Sequence, residues 1–278
     1  MGGLRIVYRR ALYWSRMGYE CLIWQADQIP FEGWDFGVFR GRFVETEPSW
    51  EFSKLLRNRI RHSSSMLDLG TGGGEFLSSL APLPPHTVAT EAYEPNVPIA
   101  RRRLAPLGVR VFDTTESSDE ALPFTDGTFD LVVSRHESYA PSEVRRVLVS
   151  GGTFVTQQVG GRDLEELNHA LGAPPHTYRQ WNLAAATDEL ERAGFEVLEW
   201  REELLPGTFY DIGAVVLYLR IIPWQIPGFD LAGYDQTLRS LHAMMESGTP
   251  LKVNGHRFLV IARSTSDVMA GKQEKECR

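Results

Sequence analysis

The sequence holds 278 residues, 42% of them hydrophobic and 23% charged, with a formal net charge of −7. That balance is globular, with enough chain for a sizeable core, and it excludes collagen-like, disordered and disulfide-stapled classes. GAVVLYLRII is interrupted by Arg220 and falls short of the roughly 18 apolar residues of a membrane span. The opening MGGLRIVYRR lacks the apolar stretch and cleavage site of a secretory signal, and Ile6 stands where myristoylation wants Ser or Thr. Cys21 and Cys277 lie at opposite ends, which points to neither a disulfide nor a zinc site. The expectation is a soluble cytoplasmic protein with no membrane partner. Acidity argues against a general nucleic-acid binder. Arg5, Arg9, Arg10 and Arg16, and then Arg57, Arg59 and Arg61, form local basic clusters whose plainer account is a solvated helix face.

Residues 1–62 carry Trp14, Trp24, Trp34 and Trp50 with five phenylalanines, and read as a helical, aromatic N-terminal extension. Ser49 is a candidate N-cap for a helix through Arg61, with Phe52, Leu56 and Ile60 on one face. From residue 63 short β-rich runs alternate with helical stretches. Met66–Leu69 is a strand entering a glycine-rich turn, and GEFLSSL a helix; Thr87–Glu91 is a second strand. Pro95 opens the helical EPNVPIARRRLAPLG, which Gly108 ends. Val109–Phe112 and Phe129–Ser134 are strands, SEVRRVLVSGG is a helix stopped by Gly151 and Gly152, and Thr153–Val159 is a fifth strand. A sixth strand lies near Phe195–Glu203, an amphipathic helix near Tyr234–Glu246, and a last strand near His256–Arg263. Such alternation predicts a doubly wound α/β sheet with its ligand at the carboxyl ends of the strands.

The turn after the first of these strands reads Asp68-Leu69-Gly70-Thr71-Gly72-Gly73-Gly74-Glu75. Glycine serves where φ is positive or a ligand must touch backbone; a tight turn without a ligand is the plainer alternative. Glu91 ends the next strand, 21 residues after Gly70, where a dinucleotide fold puts the carboxylate for the ribose hydroxyls. The series G-x-G-x-G differs from the dinucleotide G-x-G-x-x-G, and no phosphate-binding lysine motif is present.

These residues resemble the first motif of class I S-adenosylmethionine-dependent methyltransferases. Further likenesses follow in order: Glu91, then the run Leu122 to Asp130, then Arg146-Val147-Leu148-Val149-Ser150-Gly151-Gly152, similar to R-V-L-x-P-G-G with Ser150 for proline. The likeness spans about residues 65–160. It implies a Rossmann-like sheet of seven strands, the last antiparallel, in a domain over 63–270 with a lid insertion at about 204–250. The segment 1–62 is then an extension contributing to the lid, and 271–278 a disordered tail. Aromatic residues of the insertion, with Tyr210 and Asp211, read as a cover over the site or as packing of the additions onto the sheet.

By the same resemblance, backbone around Gly70, Gly72 and Gly74 contacts the methionine part of the cofactor, Asp68 orients the loop or reaches its amino group, and Glu91 holds the ribose diol. Asp113, Glu116 and Asp119 compete for the adenine, with Asp113 favoured; Tyr93 is either beside the adenosine or simply packed. The cofactor is S-adenosylmethionine, leaving as S-adenosylhomocysteine. The strand end Ser134-Arg135-His136-Glu137-Ser138 is where the methyl group is expected. There His136, with an ordinary pKa near neutrality, is the candidate general base and Glu137 a second carboxylate; a loop-holding role is the alternative for both. Gln157 and Gln158 alternate in direction, so one is expected on the cofactor side. His169, His176, His242 and His256 have no metal-ligand spacing. The function implied is in-line methyl transfer to a small-molecule acceptor. The alternatives are an RNA or tRNA base methyltransferase, with the arginines on phosphate, and a non-catalytic cofactor-binding regulator.

Overall fold

The computed structural model describes residues 17–31, 36–116 and 121–265. Arg5, Arg9, Arg10, Arg16, Trp14, Trp34, Asp119, Cys277 and the expected tail at 271–278 lie outside them. The strands are β1 (Phe43–Glu45), β2 (Ser65–Leu69), β3 (His86–Glu91), β4 (Arg110–Asp113), β5 (Phe129–Arg135), β6 (Leu148–Val159), β7 (Phe195–Phe209) and β8 (Leu251–Ser264). The helices are α1 (Tyr19–Gln28), α2 (Phe52–Ile60), α3 (Glu75–Ser79), α4 (Val97–Leu104), α5 (Pro141–Val147), α6 (Glu165–Leu171), α7 (Leu183–Arg192), α8 (Ile212–Ile221) and α9 (Leu231–Glu246). Among the described residues the strands form one mixed sheet in the order β1-β7-β8-β6-β5-β2-β3-β4. The expected α/β class stands, with eight strands in place of seven. The extra one, β1, is three residues long, too short for an alternating pattern to register.

By internal contacts the chain divides into two compact units, the first holding Trp50–Gln158, Asn182–Glu202 and the described part of Phe258–Arg278. In it β2 pairs parallel with both β3 and β5, β3 with β4, and β5 with β6. Met66, Leu67, Leu131, Val132 and Val133 are fully buried, as befits parallel strands covered on both faces. Helix α2 buries Phe52, Leu56 and Ile60, the face that the spacing predicts. Its cap position is held by Glu51, not Ser49. Helix α5 ends at Val147, four residues before Gly151, because Leu148 already pairs with Phe129 of β5. The register then jumps to Leu131 opposite Thr153, and Gly151 takes a φ of +80° in that irregularity.

The second unit holds the described part of Met1–Ser49, with Val159–Trp181 and Glu203–Arg257. Here β1 pairs antiparallel with the end of β7, Phe43 opposite Phe209, and the two rings stack with centroids 4.1 Å apart. Ser49 donates through its backbone N–H to Glu203 at 3.0 Å. Both late strands are longer than expected, so the connection between them shrinks to residues 210–250, which carry α8 and α9. The run read as too short for a membrane becomes α8, with Arg220 its one residue not buried. A helix apolar on all sides belongs inside a core. No helix among the described residues is long and apolar enough to cross a membrane.

Asp211 starts that helix. Its carboxylate accepts from Ala214 N at 2.9 Å and from Arg42 Nε at 2.9 Å, and both side chains are almost wholly buried. Removing one partner of a buried pair strands the other charge, at a cost of about 3–5 kcal/mol. Asp211→Ala is therefore expected to lower the unfolding free energy by about that much. The double variant Arg42→Met with Asp211→Ala should lose less than the single one, as denaturant titration would measure.

Candidate active site

Strand β2 delivers the chain into three left-handed glycines: Gly70 and Gly72 at φ +63° and Gly74 at +81°. A side chain at such angles is strained. At Gly70 it would also collide, since a Cβ there would sit 2.3 Å from Cγ of Glu137. The turn is tied to β3 by Thr71 N donating to Thr90 O at 2.9 Å and Gly70 N to Thr90 Oγ1 at 3.2 Å. Gly74 N closes it on Thr71 O at 3.0 Å, and a Cβ on Gly74 would meet Leu104 of α4.

Glu91, 3% exposed, reaches back onto this turn. Its Oε2 accepts from Gly72 N at 2.6 Å and its Oε1 from Tyr93 N at 2.8 Å. Burial pushes the Glu91 carboxyl up, while the N–H groups of Tyr93 and Gly72 and the nearby Asn96 amide pull it down. Each carboxylate oxygen thus accepts one well-formed backbone hydrogen bond, with the Asn96 amide and Ala92 N–H close by. Asp68, at the end of β2, is 4% exposed, and burial raises its carboxyl to about 7 against the opposing effects of Thr71 and Arg135. The Thr71 hydroxyl itself falls outside hydrogen-bond geometry and is buried without a partner, as are both amide atoms of Asn96. Arg135 stacks its guanidinium over Phe76 at 4.4 Å.

A cleft opens beside the turn, lined among others by Gly70, Thr90, Thr114, Glu137 and Tyr139. Glu137 is held there through its own backbone: its carbonyl accepts from Ser134 Oγ at 2.9 Å and from Gln158 Nε2 at 2.9 Å. Gln158 Nε2 also lies within donating distance of Ser134 Oγ and Thr156 Oγ1, so its two N–H bonds are shared among three acceptors. Asp113 lies opposite Glu91 in the sheet register but is exposed. Its carboxyl is held low by the Thr115 hydroxyl and backbone N–H, and the next residue, Thr114, lines the cleft.

His136 follows β5 with φ +62°. A non-glycine residue in that region costs about 1–3 kcal/mol and persists where its surroundings hold it. Its N–H donates to Gln157 O at 2.8 Å, and its ring Nε2 lies 3.1 Å from Gln157 Nε2. Gln157 Oε1 in turn accepts from Trp50 Nε1 at 2.8 Å. The turn, Glu91, Asp68 and Glu137 thus come together, whereas the His136 ring faces Gln157. Thr71, Asn96 and Thr114 escaped the sequence reading because uncharged residues in loops leave no periodic mark, and Trp50 read only as one aromatic among several.

Residues 67–156 match the family model of the methyltransferase domain. With the parallel strand order and the glycine turn, the matched segment is similar to the methyltransferase domain of the class I enzymes. The uncharacterised methyltransferase YcgJ of Bacillus subtilis is 28% identical over 120 residues, 41% of this chain. That match spans 47%, about half, of the curated relative. Two solved structures share the fold: a candidate methyltransferase of Bacillus halodurans (TM-score 0.56, 20% identity, 78% of this chain and 99% of that one) and YcgJ itself (0.56, 18%, 77% and 98%).

The raised Asp68 carboxyl has a consequence for stability. A buried acid that resists ionisation costs nothing while both states are protonated. Its penalty grows as pH climbs from the ordinary 3.8 to about 7 and is constant above. Asp68→Asn is expected to raise the melting temperature of the ligand-free protein, and more so at pH 8 than at pH 5, by scanning calorimetry.

Proposed function

We propose that the protein is a cytoplasmic S-adenosylmethionine-dependent methyltransferase acting on a small-molecule acceptor by in-line displacement. The observation that carries this reading is the buried Glu91 carboxylate, held at the end of β3 against the glycine turn by Gly72 N and Tyr93 N. A carboxylate with two oxygens suits the two vicinal hydroxyls of a ribose. The cleft beside Gly70 would take the methionine portion, with the Thr71 hydroxyl and the Asn96 amide buried close by as further polar atoms. Asp113 and Thr114, at the end of β4, would serve the adenine side.

When bound, the donor supplies a methyl group on a positively charged sulfur, a good leaving group in a displacement. The rest falls to the chain. Asp68, Glu91 and Glu137 make an acidic surrounding for a cationic ligand, and their partial burial strengthens that attraction. Glu137 lies against Gly70, so its carboxylate either bonds the ligand's ammonium group or gives way to it. His136 and Glu137, at the end of β5, stand on the acceptor side. Orientation of the two reactants lowers the barrier by up to ~7–11 kcal/mol, so that positioning rather than acid–base chemistry is the larger contribution of the protein.

Calorimetry with S-adenosylmethionine and S-adenosylhomocysteine tests the donor site. Micromolar-range binding of both and none of NAD is expected. Glu91→Ala should lose one to two charge-assisted hydrogen bonds, about 1.5–3 kcal/mol each, and Gly72→Val should abolish binding while remaining folded by circular dichroism. Unchanged affinity in either variant would remove the site from the turn. Because a cation favours ionised Asp68, whose carboxyl sits at about 7 in the free protein, affinity should rise between pH 6 and pH 8 with proton release on binding. A flat pH profile would show that Asp68 does not sense the ligand.

A further inference from the structure

We propose that Trp50 and Gln157 are positioning residues that hold His136 in its Nδ1–H tautomer, so that His136 meets the acceptor as a hydrogen-bond donor and not as a general base. The inference rests on the methyl-transfer reading above for its kinetic part only. It begins at Trp50, 4% exposed, whose indole N–H can only donate. That N–H lies 2.8 Å from Gln157 Oε1, so the amide oxygen is assigned; flipping the amide would set two donors against each other at that distance. The amide nitrogen therefore faces His136 Nε2, at 3.1 Å. An amide nitrogen donates and does not accept, so Nε2 must offer its lone pair and the ring proton must sit on Nδ1. The identity of the nitrogen bearing the proton is set by the bond the other one makes.

The backbone reinforces the arrangement. His136 N donates to the carbonyl of the same Gln157 at 2.8 Å, and the left-handed φ of +62° fixes where the ring leaves the chain. A neutral imidazole has one ring lone pair, and here Gln157 takes it. A proton-abstracting role would need that lone pair on the substrate. The acceptor class that fits is one whose nucleophilic atom already has a free lone pair and which carries an oxygen or nitrogen able to accept a hydrogen bond from Nδ1–H. Trp50 lies outside the span matched by the family model, so this chain's N-terminal segment supplies the first group of the relay.

Nuclear magnetic resonance of the full chain labelled with 15N-histidine tests the tautomer without recourse to activity, with His136→Asn used to assign the ring. At pH 8, long-range 1H–15N correlations should show His136 Nε2 unprotonated and Nδ1 protonated. Trp50→Phe frees the amide to flip, and Gln157→Glu supplies a carboxylate that accepts from Nε2–H, so both should shift the ring toward the Nε2–H form. An Nε2–H ring in the wild type, or an unaltered ring in both variants, overturns the lock. The kinetic arm compares His136→Asn, which keeps a donor near the Nδ1 position and tolerates a positive φ, with His136→Ala. Turnover of the Asn variant should exceed that of the Ala variant at least tenfold. Equal losses of 10²–10⁴-fold, the usual effect of removing a base, would restore His136 as the base. If the wild type turns over none of a panel of acceptors, the methyl-transfer reading fails and the role assigned to His136 fails with it, while the tautomer result stands by itself.

Discussion

The hydrogen bond from Gly72 N to the buried Glu91 carboxylate is the constraint on which the site depends. It joins the end of one parallel strand to the turn that follows its neighbour, and does so with a charged acceptor at 2.6 Å. Such bonds are roughly twice as strong as neutral ones, and an orphaned N–H in the same place would cost about 1–3 kcal/mol. Three left-handed glycines make the turn sterically possible; Glu91 decides which way its N–H groups face. Burial works against this arrangement, pushing the carboxyls of both Glu91 and Asp68 up.

Charge is handled differently in the unit that carries β1. There Arg42 and Asp211 form a buried pair that also caps α8. Arg257 is shared between Glu45, at 3.2 Å, and Asp163, while the Tyr218 hydroxyl lies 3.5 Å from Asp163. Burial lifts Glu45 to about 7 in spite of Arg257, and its Oε1 is left without a partner beside Gly255. These groups are matched to one another, and the hydrogen bonds run among residues distant in sequence. They fix where β1, β8 and α8 meet within that unit, and single removals there strand a charge.

The parallel core was legible because each of its elements is punctuated. Gly70, Gly74 and Gly108 take positive φ where the sequence marks turns, and Pro95 opens the stretch that becomes α4. Where no punctuation falls at the real boundary, the reading slipped. Gly151 and Gly152 drew the end of α5 three residues too far, to Ser150 instead of Val147, since the β-sheet pairing of Leu148 outweighs a helical pattern. Phe43–Glu45 is too short to announce itself, and Ser49 is bonded to Glu203 rather than to a helix. In the site, the glycine turn, Asp68, Glu91 and Glu137 lie near one another, while Asp113 is exposed and the His136 ring turns to Gln157; Gln157 and Gln158 were singled out without their separate tasks. The link from Trp50 to His136 spans 86 positions through an amide, and no local spacing encodes such a path.

The most direct measurement follows the backbone amides of Gly72 and Tyr93 by nuclear magnetic resonance while S-adenosylhomocysteine is added to 15N-labelled protein. Both N–H groups now donate to Glu91, so any ligand that bonds this carboxylate must alter both. The account predicts that the two resonances move together and saturate with one binding constant, and that Glu91→Gln weakens that constant. Resonances of Gly72 and Tyr93 that stay in place at saturating ligand would contradict it.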